Sequence, residues 1–273
     1  MYRRKFLSLA APGLALPAWF RFGEPHWFEL TRTEVALPLR KPVRLLHVSD
    51  LHTSDGMTAE DLEAGLSLGL KQNPDVICFT GDFVSTSVGF DKPGLLRLLR
   101  TAADTAPAFA VLGNHDGGAW LAARGGSASP RLIADLVQSA GIRLLHNAAA
   151  SIGELTLIGV GDLWSHQVQP QRAFAATLPD TTNILLSHNP DAKDMLLEYP
   201  WQLMLSGHTH GGQARIPGLT PPWAPVADKR FLSGLHRWED RQLFVTRGLG
   251  SPKHVRAFCR PEISLLELTP FPA

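Results

Sequence analysis

Five short stretches hold side chains that can bind metal ions and move protons: Asp50-Leu51-His52, Gly81-Asp82, Gly113-Asn114-His115-Asp116, Ser187-His188-Asn189 and Gly207-His208-Thr209-His210. Asp50 and His52 are one residue apart, so both can turn toward one ion just beyond a strand. His208 and His210 share that spacing, with Thr209 free to face away. Two cations a few ångströms apart repel, so a carboxylate must bridge them, and Asp82 suits that role. Asp50, His52, Asp82, Asn114, His188, His208 and His210 then make seven candidate ligands: two carboxylates, one amide and four imidazoles. Against two divalent ions they leave a charge of roughly +2, an anion trap that suits phosphate. Four imidazoles favour Mn²⁺, Fe or Zn²⁺ over Mg²⁺. The glycines beside Asp82, Asn114 and His208 permit tight turns and close approach of a phosphate to the backbone.

Taken singly, the pieces have duller readings. An Asp-x-His after a strand is often a turn with a hydrogen-bonded histidine, and Gly-Asp is an ordinary turn dipeptide. What joins them is position. Short runs rich in Val, Ile, Leu and Phe read as buried strands: Leu45–Ser49, Val76–Thr80, Phe109–Leu112, Leu155–Val160, Ile184–Ser187, Leu203–Ser206, Leu243–Thr246 and Ile263–Leu268. Between the first two, Thr58 to Asp61 resembles a capping box, Leu62, Leu66 and Leu70 recur every four residues, and Pro74 stops the helix. Helices also fit Pro93–Ala103, Pro130–Ala140 and Asp191–Glu198, while Gly125–Ser129 and Pro217–Pro225 read as long loops. This alternation predicts an α/β fold with substantial parallel pairing in one domain. Ligands of such sheets gather outside the carboxyl ends of the strands. Asp50, Asp82, Asn114, His188 and the His208/His210 pair stand at five of those ends.

The ordered series Asp-x-His, Gly-Asp, Gly-Asn-His-Asp, His and Gly-His-x-His resembles that of the calcineurin-like metallophosphoesterases, from Leu45 to about Gly212. Trp27–Arg32, Gly161–Trp164, Gly207–Gln213 and Ala227–Arg230 are similar to segments of the YaeI-type and related YkuE-type bacterial phosphodiesterases. The resemblance implies a four-layer α/β/β/α sandwich with a binuclear site at strand C-terminal ends. It implies that Asp50, His52, Asp82 and His210 hold one metal and Asp82, Asn114, His188 and His208 the other. It implies a phosphodiesterase, with in-line attack of hydroxide at phosphorus. His115 would be no ligand but would steady the transition state or protonate the leaving oxygen, with Asp116 orienting its ring. Two alternatives stay open: a pyrophosphatase for nucleotide-linked lipids, and a non-catalytic metal-supported scaffold.

Other residues carry weaker signals. Asp162 either contacts substrate or metal-bound water, or caps its own loop. Arg247, just after a strand, is a candidate phosphate ligand, and Lys253 and Arg256 either ring the pocket or are solvated surface charges. Trp120, Trp164 and Trp223 either form an apolar rim near membrane lipids or pack inside.

Composition limits the partners. Lys+Arg 26 against Asp+Glu 25 argues against a broad nucleic-acid-binding surface, and 44% hydrophobic residues supply a large core. The expected partner is a small phosphodiester or phospholipid-type substrate, handled by a monomer. Cys78, in an apolar run, reads as a buried thiol, and two cysteines make no disulfide framework. Residues 1–24 read as a leader or N-terminal anchor and 25–273 as the catalytic domain. Arg3-Arg4-Lys5-Phe6-Leu7, followed by an apolar stretch to about Phe20, looks like a twin-arginine export signal to the periplasm or membrane face. YkuE-type enzymes are associated with that route. Without export the chain would be cytoplasmic.

Overall fold

A computed structural model describes residues 16–54, 56–86, 89–178, 181–216 and 218–272. Arg3, Arg4, Lys5 and the start of the apolar stretch lie outside these residues, as does Pro217 of the predicted loop.

Twelve strands run in chain order: β1 Glu29–Leu37, β2 Val43–Val48, β3 Val76–Thr80, β4 Ala108–Val111, β5 Arg143–Leu144, β6 Ala148–Ile152, β7 Leu155–Gly159, β8 Thr182–Leu186, β9 Leu203–Ser206, β10 Gly234–Trp238, β11 Arg241–Val245 and β12 Glu262–Pro270. They form two six-stranded sheets, ordered β1-β12-β2-β3-β4-β5 and β10-β11-β9-β8-β7-β6. The first sheet is parallel except at β12–β2, and the second except at β10–β11 and β6–β7.

Residue alternation makes the layers. In β3, Val76 and Cys78 enter the core between the sheets, while Ile77 and Phe79 face the helices. From the second sheet, Leu155, Leu157, Ile184, Leu186 and Leu203 meet them between the sheets, and Ile158, Leu185 and Met204 point outward. Both faces of each central strand are buried, which is why these strands read as continuous apolar runs. The outer layer on the first sheet holds α1 Ala59–Leu70, α2 Lys92–Ala103 and, after the short α3 Ala119–Ala122, α4 Arg131–Ser139. The fourth layer is thinner: α5 Pro170–Ala173, a 3₁₀ segment Pro190–Leu196 where an α-helix was predicted, and Trp201 and Phe231. The fold is thus the expected α/β/β/α arrangement.

The local signals work as physics requires. Thr58 Oγ1 accepts from the Asp61 amide at 3.2 Å and the Asp61 carboxylate from the Thr58 amide at 2.8 Å, a complete capping box for α1. Asp91 caps α2 by accepting from the Gly94 amide at 3.0 Å. α1 ends at Leu70, four residues ahead of Pro74, and Asn73 takes a left-handed φ of 51°.

Residue 24 falls inside a packed turn. Trp19–Gly23 and Glu24–His26 are helical turns, Glu24 is buried, and its carboxylate accepts from the Cys259 amide. Phe20 O accepts from the Arg256 amide at 3.0 Å. Both cysteines are buried and free. Among the described residues no helix is long and apolar enough to cross a membrane.

Candidate metal centre

The side chains singled out in the sequence converge where the two sheets meet. Asp50 and His52 follow β2, Asp82 follows β3, and Asn114 to Asp116 follow β4; His188 follows β8, and His208 and His210 follow β9. Five of the seven candidate ligands sit in the left-handed backbone region: Asp50 (φ 55°), His52 (47°), Asp82 (55°), His208 (69°) and His210 (50°). Asp and His tolerate that region better than most side chains, and such strain collects at functional sites. There it swings each strand end sharply enough to turn two alternate side chains into one cleft.

The side chains form two clusters around Asp82. His210 Nε2 lies 3.4 Å from Asp50 Oδ1 and 3.0 Å from His52 Nε2. His188 Nε2 lies 3.0 Å from His208 Nδ1 and 3.2 Å from Asp82 Oδ2. The same Asp82 Oδ2 lies 3.4 Å from His52 Nε2, so one oxygen faces both groups. The other, Oδ1, is occupied by the His115 amide at 2.9 Å. Donors about 2.0–2.2 Å from a metal, at tetrahedral or octahedral angles, stand about 3.0–3.5 Å from each other. These five spacings fall in that range, and Asp50 Oδ1 stands slightly wider from His52 Nε2, at 3.9 Å. Asp50, His52 and His210 form one group able to hold an ion, Asp82, His188 and His208 another, and His52, Asp82 and His115 a third that overlaps both. Asn114 Oδ1, buried and without a hydrogen-bond partner, adds an orphaned oxygen at a residue that lines the same cavity.

Hydrogen bonds fix which nitrogen two of the four rings offer. His188 Nδ1 donates to the Thr80 carbonyl at 2.8 Å, freeing Nε2. His208 Nε2 donates to the Pro225 carbonyl at 2.8 Å, freeing Nδ1. Burial holds His52 and His210 well below the usual histidine range and, with His188 nearby, takes His208 down to about 3. These rings are neutral, the form that binds metal. Burial lifts the Asp50 carboxyl to about 6, with Asp82 adding to the rise. Burial opposes a charge on His188, yet Asp82 and Asp50 raise it to about 10. Positive charge is therefore favoured most strongly between Asp82 and His188, which is where a divalent cation meets the same demand.

The site glycines accommodate protein carboxylates, a correction to the expectation that they make room for phosphate. A Cβ on Gly207 would sit 2.1 Å from Asp50 Oδ2, and one on Gly113 2.2 Å from Asp82 Oδ1.

Asp116 also differs from expectation. The turn closed by the Asp116 amide on Gly113 O points its carboxylate back into the loops, not toward the imidazole. It accepts from the amides of Asp82, Phe83 and Gly113, each at 2.8 Å. His115 is oriented instead by its Nδ1 bond to the Ser85 carbonyl at 2.7 Å, which leaves Nε2 for chemistry. Arg247 is no free phosphate ligand: Glu262 and Glu29 engage its guanidinium at 2.6 and 2.7 Å. Asp162 caps its turn, accepting from the Ser165 amide at 2.6 Å, and does not line the cavity.

Arg256 is wholly buried beneath the site. It donates to the carbonyls of His210 and Arg247. Ser85 and Thr80 act through backbone carbonyls and left no side-chain signal.

The site opens into a cavity of about 480 Å³. Trp120 and Trp164 stack at 5.5 Å to form one wall, Trp120 against His115 and Trp164 against His208. Trp223, Gln213 and Lys253 line it elsewhere. The three tryptophans are therefore cavity walls, and Trp223 is also half exposed.

Residues 43–212, well over half the chain, match the calcineurin-like phosphoesterase family. The chain belongs to that family. It is 38% identical to phosphodiesterase YaeI of Escherichia coli (strain K12), over 97% of this chain and 98% of that protein. It is 28% identical to the uncharacterized metallophosphoesterase YkuE of Bacillus subtilis (strain 168), over 98% of both. It is also 28% identical to the UDP-2,3-diacylglucosamine pyrophosphatase LpxG of Chlamydia trachomatis, over 94% of both. The chain is thus a phosphoric ester hydrolase of a family that uses divalent metals.

Proposed function

We propose that this chain hydrolyses phosphodiesters at a two-metal centre. The observation that carries the reading is the pair of buried donor clusters facing a common oxygen, Asp82 Oδ2. Asp50, His52, Asp82 and His210 would hold one cation, and Asp82, Asn114, His188 and His208 the other. Bound divalent ions supply Lewis acidity: they favour hydroxide near neutral pH and neutralise phosphate charge. The donor set favours Mn²⁺, Fe or Zn²⁺. His115 does the proton work. With Nδ1 tied to Ser85, its Nε2 delivers a proton to the leaving alkoxide oxygen. The Trp120–Trp164 wall and Trp223 exclude water and give the alcohol portion of the substrate apolar surface. Similarity to YaeI supports a phosphodiester; similarity to LpxG supports a pyrophosphate-linked lipid as the second reading. Arg3-Arg4 ahead of an apolar run supports twin-arginine export toward the periplasm or membrane face.

The test joins metal analysis to turnover of a soluble chromogenic phosphodiester. His115→Ala should abolish turnover while two metals per chain remain, and Asp82→Asn should lose both metals. Unchanged turnover in the first variant, or full metal content in the second, overturns the assignment. A pyrophosphate-linked substrate cleaved far faster than any phosphodiester would decide for the second reading.

A further inference from the structure

Six large apolar side chains on one side of the molecule face solvent: Leu16, Trp19, Ile216, Leu219, Trp223 and Phe258, each between 45% and 59% exposed. All but Trp223 are contiguous. Phe258 lines a groove with Ile216 and Leu219, and also a second groove with Leu16 and Trp19. Its ring meets that of Phe20 at 5.1 Å. Gly212, Gln213 and Trp223 border the metal cavity, and Arg215, Ile216, Leu219 and Pro221 line the first groove. Segment 213–215 is tied to 255–257 by the Arg215–Ala257 and Ala257–Gln213 backbone bonds, which join the two halves of the patch. Soluble proteins rarely leave so many large apolar side chains together in water, and a patch of this kind marks an interaction site.

Charge selects the occupant. Arg21, Arg215 and Lys253 stand at this face, and none has a carboxylate partner among the described residues. The nearby acids are engaged inward: Glu24 by the Cys259 amide, and Glu29 by Arg247 and Arg260. The described chain starts at Leu16, on the patch itself. The residues before it include Arg3, Arg4, Lys5, Phe6, Leu7 and Leu9 and no acidic residue. Tryptophan at a half-exposed apolar surface, with unpaired cations beside it, matches the boundary between phospholipid head groups and acyl chains.

The geometry points to a membrane-docking face: the apolar patch around Phe258, Ile216 and Leu219 seats the protein on an anionic phospholipid surface, with Arg21, Arg215 and Lys253 on the lipid phosphates. Pro221 lines the first groove and Trp223, two residues on, the metal cavity, so the metal centre opens beside the docked face. A head-group phosphodiester then reaches the cleft without its acyl chains crossing water. That consequence rests on the hydrolase reading; docking itself does not.

The test uses the full metal-loaded chain in flotation with phosphatidylcholine vesicles, with and without phosphatidylglycerol. The chain should float, more strongly with phosphatidylglycerol. Leu219→Asp/Phe258→Asp should weaken flotation at least about tenfold, equivalent to about 1.4 kcal/mol. Turnover of a soluble phosphodiester should not change, which shows that the variant is folded and tests the hydrolase reading separately. A variant with Arg3, Arg4 and Lys5 replaced by Gln should still float in a manner that depends on Leu219 and Phe258. No flotation of the unmodified chain, equal flotation of the Leu219/Phe258 variant, or binding that depends on residues 3–5 alone overturns the proposal. So does a result in which the variant separates a dimer into monomers and leaves flotation unchanged.

Discussion

Asp116→Asn separates two accounts of the same residue. If the carboxylate oriented His115, the variant would lose turnover and keep its stability. The structure gives it another task. Its two oxygens accept from the amides of Asp82, Phe83 and Gly113 at 2.8 Å, and more distantly from Val84 at 3.4 Å. Asparagine keeps one acceptor oxygen and turns an NH₂ group toward amides that also donate. Whichever way the amide is turned, one or two buried N–H groups lose their partner. Each orphaned buried donor costs about 1–3 kcal/mol, and Asp116 is only 1% exposed, so water does not substitute. Burial, and then repulsion from Asp82, lift the Asp116 carboxyl to about 8, and relief of both offsets part of this. The net expectation is a loss of about 2–4 kcal/mol, against a total stability of about 5–15 kcal/mol. For a domain of this size that lowers the melting temperature by roughly 2–4 °C per kcal/mol. The Asp82 backbone is one of the released groups, so metal affinity should fall as well. The assay is denaturant unfolding in chelator, followed by metal content and turnover after reloading. Unfolding free energy within about 0.5 kcal/mol of wild type, with full metal content, would refute the reasoning and restore Asp116 to the imidazole.

Two further predictions probe the packing around the clusters. Gly207→Ala places a Cβ 2.0 Å from Ser49 Oγ and 2.1 Å from Asp50 Oδ2; it should displace Asp50 and leave fewer than two metals per chain by elemental analysis, and full loading with normal turnover would contradict this. Burial opposes a charge on Glu262, yet Arg247, Thr31 and Ser264 hold its carboxyl below the ordinary value of about 4.3. A depressed value means that its stabilisation is present above about pH 4.3 and is lost as pH falls through the folded-state value. The stability gap between wild type and Glu262→Gln, followed by urea unfolding in chelator, should therefore narrow below about pH 4.3; a constant gap would show that Glu262 is not held ionised.

Legibility followed the kind of information each residue carries. Central strands such as Val76–Thr80 and Leu203–Ser206 are buried on both faces, so their apolar runs announced them with the observed bounds. β1 was missed because it is a sheet edge whose Glu, Arg and Thr side chains are only partly buried. β6 and β10 escaped for a similar reason: Ala148–Ile152 and Gly234–Trp238 lack an apolar alternation. All seven proposed ligands were legible, because metal chemistry draws on few residue types and strand ends place them. Their supports were not. Thr80 and Ser85 act through carbonyls that every residue has, and Arg256, a long cation, reads as surface until the carbonyls it serves are located. Asp116 was misassigned because adjacency in sequence to His115 says nothing about which way the Gly113 turn aims each side chain.

The sheet seam explains why the site took these residues. The Asp50 carboxylate, from the first sheet, accepts the His208 amide of the second at 3.1 Å, and Gly207 lacks the Cβ that would block it. His188, from the second sheet, donates to the Thr80 carbonyl of the first. Both cross-links run through residues proposed as ligands, so positioning the metal donors and closing the ends of the sheets are one act of packing. The two groups proposed to hold the metals each draw on both sheets: the first takes His210 from the second sheet, and the second takes Asp82 from the first. A cation bound at either position thus joins the two sheets, and its binding free energy adds directly to the stability of the sandwich. On the proposed assignment, that coupling gives a physical reason for the left-handed backbone at five of the proposed ligands: ions held across the seam would offset strain spread over both sheet ends.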